Sequence, residues 1–335
     1  MKLLITGASG FAGNVLLDLL KQNPPRGGIT VLMLRGDPGE ARLRGKAIPE
    51  LRIVYGDITD VAAVNRAVAG HTHVVHLAAL ISYWSREEAR IFRVNQLGVE
   101  NVVAACVRHG VQRLVHVSSV GAIGFHRDGR LADEETEFNW PRGFPYMTSK
   151  YAGQLIVERA VRERNLQAII LNPASLMGPG DPLPSTPHNE LYRRVYSQPQ
   201  FVCFGGGLAV TDVRDLAEII VKALTGGRVG EKYLIVGANV EYTTVLRAIG
   251  ACFQRKVFPL RVPGFLLAAA GAVLELISLI TGKRPLLTRA YGRLSGWFGY
   301  YSNTKSREAF SHEYRPFEET IADGCRYFRE QYCQQ

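Results

Sequence analysis

The chain has 335 residues, 47% hydrophobic and 21% charged, as is typical of a soluble globular protein with one large or two modest domains. Its five cysteines are odd in number and form no CxxC pair, which argues against a disulfide framework and favours a reducing compartment. The formal charge of +10 comes without a long Lys/Arg run. We therefore expect a basic solvated surface and no nucleic-acid partner, with attraction to phosphates or to an acidic membrane face as the alternative. Only three apolar residues follow Lys2 before the first turn, too few for a secretory signal, so we expect a cytoplasmic protein.

Short apolar runs alternate with helical patterns through the first half of the chain. Strands are predicted at residues 2–6, 30–34, 52–55, 73–77, 113–117 and 167–171. Helices are predicted at residues 11–21, 61–69, 88–109 and 145–164. The strands are apolar on both faces, as in a parallel sheet that helices cover on both sides. This alternation predicts an α/β fold with a Rossmann-type, doubly wound parallel sheet.

Three glycines at three-residue spacing join the first predicted strand to the first predicted helix, in the pattern Thr6-Gly7-x-x-Gly10-x-x-Gly13. Gly7 would allow a tight exit from the strand, Gly10 a close approach of the backbone to a pyrophosphate, and Gly13 close packing of the helix on the sheet. The helix then begins with its free N–H groups facing the phosphates. This placement predicts a dinucleotide-binding site.

The residue at the end of the second strand reads the adenosine ribose in such domains, about twenty residues beyond the glycines. Here the sequence "VLMLRGDP" places Arg35 at that point. A guanidinium can hold a 2′-phosphate bidentately, so we expect NADP(H) as the preferred cofactor. In the alternative, Arg35 is solvated, Asp37 faces the ribose, and the cofactor is NAD(H).

Tyr146 and Lys150 are four residues apart on a predicted helix and therefore share a face. An ammonium beside the phenol would lower the tyrosine pKa toward the working pH, so that the phenol can pass a proton to or from a carbonyl oxygen. Ser118 and Ser119 follow the strand 113–117 at its carboxyl edge, where ligands of open α/β sheets bind. A hydroxyl there can hydrogen-bond a substrate oxygen; a capping role is the alternative, more so for Ser118.

Two other groups of residues could carry chemistry. His71, His73 and His76 are close enough in sequence to suggest a metal site, but strand alternation places His76 opposite His73, so we predict no metal site. Tyr83 and Trp84 follow the fourth strand, in a loop over its carboxyl edge. They are either ordinary core aromatics or a wall of the substrate site.

The pattern changes near Gly178, where the Pro/Gly-rich stretch "GPGDPLPSTP" predicts a crossing to another lobe. We assign residues 1–178 to a dinucleotide-binding domain with a return near 201–240, where residues 232–237 read as a strand. Residues 179–200 and 241–335 form a smaller, mostly helical, substrate-binding lobe in this interpretation. Residues 265–280 are the most apolar stretch, short of a typical membrane span, and we expect a buried or cleft-lining helix. Shallow seating in a membrane interface, with Lys283 and Arg284 at the headgroups, is the alternative.

These features together resemble the extended short-chain dehydrogenase/reductases. The resemblance runs over nearly the whole chain, and its closest likeness is to the dihydroflavonol reductase-like group. The motifs that carry it are TGxxGxxG at 6–13, "GDITD" at 56–60, "HLAA" at 76–79, "VNQLGVENVV" at 94–103, "SSVGAIG" at 118–124, YxxxK at 146–150 and "NPASLMGPGD" at 172–181.

The resemblance implies a role for each matching position. Ser119, Tyr146 and Lys150 would be catalytic: Ser119 polarises the substrate carbonyl, Tyr146 donates the proton, and Lys150 binds the nicotinamide ribose and lowers the Tyr146 pKa. The implied cofactor-binding residues are Gly7, Ser9, Gly10, Phe11, Gly13, Arg35, Asp57, Ile58, Ala78, Ala79, Tyr146, Lys150, Pro173 and Ser175. Tyr83, Trp84 and Asn95 are the candidate substrate residues. Relatives often dimerise through a four-helix contact, which would here involve 88–109 and 145–164.

The sequence also departs from the patterns of its relatives. Many nucleotide-sugar enzymes have an acidic residue at the position of Arg35 and Arg-Pro in place of Asn172-Pro173, and plant dihydroflavonol reductases have an asparagine in place of Gly124. The first hypothesis is therefore an NADPH-dependent reductase of a carbonyl on a hydrophobic small molecule. The second is a nucleotide-sugar epimerase or dehydratase with tightly bound NAD. A cofactor-sensing regulator is the third, disfavoured because both Tyr146 and Lys150 are present.

Overall fold

The computed structural model describes residues 1–182, 189–197 and 200–332. Its strands, in chain order, are β1 Leu3–Thr6, β2 Ile29–Met33, β3 Leu51–Tyr55, β4 His73–His76, β5 Arg113–Val117, β6 Ala168–Pro173, β7 Ser175–Met177, β8 Gln200–Phe204, β9 Gly207–Asp212, β10 Lys232–Ile235, β11 Ala238–Glu241, β12 Val257–Val262 and β13 Phe298–Gly299. Its α-helices are α1 Phe11–Gln22, α2 Glu40–Gly45, α3 Val61–Val68, α4 Glu88–Phe92, α5 Gly98–Arg108, α6 Pro145–Arg164, α7 Glu190–Ser197, α8 Val213–Ala223, α9 Tyr242–Cys252, α10 Gly264–Thr281, α11 Arg289–Gly292, α12 Thr304–Phe310 and α13 Phe317–Tyr332.

The central sheet has seven strands in the order β10-β6-β5-β4-β1-β2-β3. Every neighbouring pair in it is parallel. The chain winds outward from β1 in both directions, so the order reverses between β1 and β4. The Rossmann-type, doubly wound sheet predicted from the sequence is confirmed.

Helices cover both faces of this sheet because its strands are apolar on both faces. Leu3 and Ile5 of β1 point to one side, where they join a core with Leu16 and Leu17 of α1 and residues of α8. Leu4 points to the other side and joins a core made with α3, α5 and α6. Because successive side chains of a strand point to opposite faces of the sheet, β1 contributes residues to two separate cores.

The long helix predicted at residues 88–109 is divided in three. A π-helical turn, Arg93–Leu97, joins α4 to α5 and carries Asn95. Insertions of this kind are common at functional sites. Helix α2 was absent from the predicted elements, because its six residues give too short a pattern to show periodicity.

A smaller region follows the sheet and is mostly helical after Glu241, as predicted. It also holds two small sheets that the sequence did not indicate: one joins β7, β9, β11 and β13, and the other pairs β12 with β8. Strand β10 lies beside β6 at the edge of the central sheet. Residues 183–187 of the predicted crossing loop and Cys333 lie outside the described residues, and the domain boundaries stay a prediction.

Helix α10 does not have the environment that the sequence analysis expected. It buries Leu267, Ala268, Gly271 and Ser278. Leu274 is half-buried, and its other large apolar side chains are exposed, with Ile280 88% exposed. The expectation of a buried helix is therefore wrong, because apolar composition alone does not say whether protein or another apolar medium covers a helix. The cleft-lining alternative holds for the first half of α10, where Gly264, Phe265, Ala268, Ala269 and Ala272 line a second pocket beside α11.

Candidate active site

A cavity of about 460 Å³ lies at the carboxyl edge of the central sheet. Most of the predicted site residues line it: Gly7, Gly10, Phe11, Gly13, Ala79, Tyr83, Ser119, Tyr146, Lys150, Pro173 and Ser175. The others stand outside its lining: Ser9, Arg35, Asp57, Ile58, Ala78, Trp84 and Asn95. The crevice thus forms where the strand order reverses, as expected for an open α/β sheet.

The three glycines of the β1–α1 turn have different surroundings. A Cβ on Gly7, whose φ is +75°, would lie 2.6 Å from the backbone nitrogen of Ala78. A Cβ on Gly13 would lie 2.5 Å from the Cα of Ala8. Both positions therefore exclude any side chain. A Cβ on Gly10 would meet only the Gly7 carbonyl, at 3.5 Å, so this glycine leaves an open cradle facing the cavity, which fits a pyrophosphate.

The region after β2 lies against the same turn. The Ser9 hydroxyl donates to Asp37 Oδ2 at 2.8 Å, and the Gly39 N–H donates to Asp37 Oδ1 at 2.8 Å. Arg35 is exposed and places its guanidinium 4.8 Å from the centre of the Tyr55 ring. Both oxygens of Asp37 thus already accept hydrogen bonds. No hydrogen bond joins the Arg35 guanidinium to the described residues, so its N–H groups can donate to an anion.

Sequence reasoning missed Arg42, which lies beside this turn. Its Nη2 donates to the Ser9 carbonyl oxygen at 2.8 Å. Its Nε is buried and has no hydrogen-bond partner among the described residues. An orphaned guanidinium N–H next to a phosphate-binding turn fits an anionic group of a dinucleotide. The only signal in the sequence was a basic residue on the short helix α2, which the periodicity did not reveal.

Asp57 and Ile58 follow β3 at the next position along the edge. Asp57 is exposed, and its Oδ1 accepts from the Thr59 N–H at 2.8 Å. Ile58 is buried, and its carbonyl accepts from Asn101 Nδ2 at 2.9 Å. After β4, the Ala78 N–H donates to Thr6 Oγ1 at 3.3 Å, which ties the β4 loop to the end of β1.

Ser119 and Tyr146 meet inside the cavity. Their side chains are hydrogen-bonded to one another. Ser119 Oγ also accepts from the Gly121 N–H at 3.0 Å, which fixes the serine rotamer at the end of β5. The Tyr83 ring lies edge-on to the Tyr146 ring, with centroids 6.0 Å apart. Two hydroxyl groups therefore point at one spot beneath an aromatic wall.

Lys150 is buried one turn further along α6. Its Nζ donates to the Val117 carbonyl oxygen at 2.9 Å, and burial lowers the Lys150 pKa to about 8. Burial raises the pKa of Tyr146 above its usual value, and the hydrogen bond from Ser119 only partly offsets this effect. The predicted lowering of the Tyr146 pKa is therefore wrong for this structure, because desolvation of the phenolate is the dominant cause.

Two candidate substrate residues have other contacts. Asn95 Oδ1 accepts from the Leu80 N–H at 2.8 Å, and its Nδ2 donates to the Leu80 carbonyl and to Ser149 Oγ, both at 3.0 Å. It thus ties the β4 loop to α6. Trp84 lies beside Arg86, whose guanidinium is 5.9 Å from the indole centre. Tyr83 alone of the three lines the cavity.

The histidines of the "HTHVVH" stretch hydrogen-bond three different threonines: His71 with Thr30, His73 with Thr72 and His76 with Thr6. The His76 ring stacks on His116, with centroids 5.4 Å apart. Burial lowers the pKa of His76 to about 3 and that of His116 well below its usual value, and the Lys150 charge adds to both shifts. Both rings are therefore neutral beneath the site.

The far wall of the cavity comes from the C-terminal region and is mainly aromatic. It includes Tyr242, Tyr291, Leu294, Trp297 and Tyr301, none of which has a charged side chain. Tyr291 packs on Tyr83 with ring centroids 5.0 Å apart, so the wall joins the β4 loop. None of these five residues could be predicted from the sequence, because no motif marks a residue that is brought to the site only by tertiary packing.

Three curated proteins show the range of the chain's relatives. A putative dihydroflavonol 4-reductase of Synechocystis sp. is 26% identical over 97% of this chain and 94% of its own length. Sterol demethylase protein B of Methylococcus capsulatus is 28% identical over 90% of this chain and 87% of its own. A dTDP-glucose 4,6-dehydratase of Mycolicibacterium smegmatis is 32% identical over 74% of this chain and 76% of its own.

The motifs, the fold and these likenesses make the chain an NAD(P)-dependent oxidoreductase of the extended short-chain dehydrogenase type. A family model, described as the NAD dependent epimerase/dehydratase family, matches residues 3–236, and the chain belongs to this family.

Proposed function

We propose that the protein is a cytoplasmic, NADPH-dependent reductase of a carbonyl group on a hydrophobic small molecule. The observation that carries this proposal is the pairing of Ser119 with Tyr146 in a cavity whose opposite wall is aromatic and aliphatic. Apolar walls with few convergent polar groups are typical of sites for apolar ligands. The names of the Synechocystis and Methylococcus relatives, which refer to a dihydroflavonol and a sterol, agree with a substrate of this class.

A bound nicotinamide dinucleotide would supply the hydride for the carbonyl carbon. Tyr146 would hold the proton at its hydroxyl oxygen and pass it to the carbonyl oxygen, where charge builds up. The raised pKa of Tyr146 keeps the phenol protonated, and so suited to donate, at neutral pH. Ser119 would hydrogen-bond the same oxygen, and the Lys150 ammonium would hold the ribose and favour the phenolate that remains.

The preference for NADP(H) over NAD(H) is part of the proposal. Arg42 offers a guanidinium group beside the glycine turn, and Arg35 offers a second one just after β2, against the Tyr55 ring. A 2′-phosphate is bound well by such groups. The two oxygens of Asp37 already accept from Ser9 and Gly39. Binding of a ribose hydroxyl by Asp37 would favour NAD(H), and these contacts leave Asp37 less free to accept one.

The proposal is tested by following NADPH absorbance with a panel of hydrophobic ketones, aldehydes and nucleotide sugars. We expect oxidation of NADPH with an apolar ketone or aldehyde. Tyr146→Phe should lower turnover by about 10²- to 10⁴-fold while dinucleotide affinity changes little. Tyr151→Phe is the matched control, since Tyr151 lies on the same helix, outside the cavity lining, with its ring stacked on Phe138 at 4.2 Å. Full activity of Tyr146→Phe would overturn the assignment.

The second candidate is a nucleotide-sugar epimerase or dehydratase with tightly bound NAD. The family description and the dTDP-glucose dehydratase relative favour it. It predicts that a nucleotide sugar is converted with no net consumption of NADPH and that NAD purifies with the protein. The far wall argues against it, because its residues Tyr242, Tyr291, Leu294, Trp297 and Tyr301 offer no cationic partner for the diphosphate of a nucleotide sugar.

A further inference from the structure

Helix α10 presents an exposed apolar surface, called here the α10 face: Phe265, Leu266, Val273, Leu276, Ile277 and Ile280. The three- and four-residue spacings place these side chains along one side of the helix. The exposure is large: 72% for Phe265, 61% for Leu276 and 88% for Ile280. The single charged residue of α10, Glu275, accepts from the Arg289 N–H at 3.3 Å and so faces the protein. The α10 face therefore carries no charge.

The opposite side of α10 is fixed to the protein. A Cβ on Gly271 would lie 2.5 Å from the carbonyl carbon of Thr288, and one on Gly292 would lie 2.5 Å from that of Leu267. The backbones of α10 and α11 are thus in direct contact. Because this contact holds one side, α10 cannot rotate to bury its apolar face.

Length and composition alone would allow α10 to cross a membrane. It has 18 residues with a mean hydropathy of 2.0, and it is the one helix among residues 1–182, 189–197 and 200–332 that meets this criterion. Its packing along α11 argues for a different placement, in the plane of an interface. In an ordinary interfacial helix the polar face points away from the membrane. Here the side of α10 that points away from the membrane would be covered by the rest of the protein.

The segment around α10 is strongly basic. Residues 253–300 hold seven Lys and Arg residues and a single carboxylate, that of Glu275. Lys283 and Arg284 follow the end of α10, and exposed Arg289 and Arg293 lie on and just after α11. A second copy seated on the α10 face would bring two such basic segments together and repel. An anionic lipid surface offers both an apolar layer for the helix and negative charge for its flanks.

We propose that the α10 face docks on an anionic lipid bilayer, with α10 lying at the boundary between headgroups and acyl chains. This inference is independent of the proposed reductase function. It would also place the cavity near the membrane, since α11 carries Tyr291 of the cavity wall and Arg284 Nη2 donates to Ser82 Oγ at 3.1 Å, beside Tyr83. An apolar substrate dissolved in the bilayer would then have a short path to the site.

The test is co-sedimentation of the full-length protein with extruded vesicles of phosphatidylcholine containing roughly one third phosphatidylglycerol, compared with phosphatidylcholine alone. We expect binding to the anionic vesicles, weaker binding at high salt, and little binding to the neutral ones. The double variant Leu276→Glu/Ile280→Glu should bind at least about tenfold more weakly, because it removes apolar burial and adds negative charge. Val61→Glu, at another exposed apolar position, should bind as the wild type does.

Three results would overturn the inference. The first is a wild type that stays in the supernatant with anionic vesicles, and the second is a double variant that binds as tightly as the wild type. The third is a wild-type dimer in sedimentation velocity that the double variant dissociates, without vesicle binding, which would mean that a second copy covers the face. Urea unfolding checks that the double variant is folded; if it is not, Ile280→Glu alone carries the comparison, with an expected loss of about threefold or more.

Discussion

The joint between β1 and α1 and the helix α10 are both strongly apolar, yet their surroundings are opposite. Leu3, Leu4 and Ile5 are completely buried, whereas Leu276 and Ile280 of α10 are mostly exposed. The joint is enclosed because β1 is an interior strand of the sheet and lies between two layers of helices. Helix α10 touches protein on one side only. Apolar sequence therefore predicts that a segment avoids water, but the neighbouring elements decide what covers it.

The largest expected difference between these regions is in the cost of substituting one glycine in each, although the two glycines have similar φ angles. Gly7 has φ +75° and would place a Cβ 2.6 Å from Ala78, whereas Gly282, which ends α10, has φ +68° and no atom within 4 Å of a Cβ. We expect Gly7→Ala to cost roughly 4 kcal/mol of the free energy of unfolding, from strain and overlap together. Gly282→Ala should cost about 1 kcal/mol, from strain alone. Urea unfolding measures both, and equal losses would contradict the difference in surroundings.

Truncation of one apolar side chain in each region compares their packing directly. Leu17 on α1 is completely buried and Ile280 is 88% exposed. Leu17→Ala should lower the free energy of unfolding by about 2–5 kcal/mol, because it leaves a cavity. Ile280→Ala should change it by less than about 0.5 kcal/mol. A large loss at Ile280 would mean that protein covers α10 in solution, and the same urea titrations would detect it.

The buried histidine pair should make the sheet region sensitive to acid. The folded-state pKa of His76 is about 3, below its ordinary value near 6.5, so the unfolded chain binds a proton that the folded chain does not. Stability is therefore lost as the pH falls below about 6.5, by about 2 kcal/mol for one histidine between pH 7 and pH 5. Burial lowers the pKa of His116 as well, so His116→Leu removes the contribution of this second histidine and should reduce the pH dependence in urea unfolding at the two pH values. The exposed His109→Leu is the control, and an equal reduction there would contradict the assignment.

The smallest expected effect is on dinucleotide affinity, and it should differ between an arginine near the glycine turn and an arginine beside α10. Arg42→Ala should weaken NADPH binding by roughly tenfold and NADH binding much less, because only NADPH carries the 2′-phosphate. Arg293→Ala, beside α10, should leave both affinities unchanged. Fluorescence titration with each dinucleotide measures these values. Tighter binding of NADH than NADPH by the wild type would contradict the cofactor preference proposed from Arg35 and Arg42.

The sequence predicted best those features that depend on residues close together in the chain, namely the glycine turn and the central sheet. The spacing of Gly7, Gly10 and Gly13 after an apolar strand predicted the turn, and the alternation of strands and helices predicted the sheet. The four-residue spacing predicted that Tyr146 and Lys150 share a helix face, and the position after β5 predicted that Ser119 lies at the carboxyl edge of the sheet. That the three residues act together was implied by the resemblance to the extended short-chain dehydrogenase/reductases. The structure places these three residues in one cavity.

The rest depended on distant parts of the chain. Tyr291 and Trp297 reach the cavity from far along the sequence, and no local pattern marks them. The direction of the Tyr146 pKa shift depends on burial, which the Tyr–Lys spacing does not report. Arg42 lies on a helix of six residues, too short for a periodic signal. The exposure of α10 depends on which elements pack against it, and amino-acid composition does not predict this.

The contact between Gly271 and Thr288, and that between Gly292 and Leu267, leave no gap between α10 and α11. Because the two backbones touch, a displacement of α10 also moves Tyr291, which lies on α11, and Leu294, which lies two residues after it. A bulkier residue at Gly271 would wedge the two helices apart and change the width of the cavity while leaving every lining residue in place. Substrate range could therefore be altered from a position that never touches the substrate.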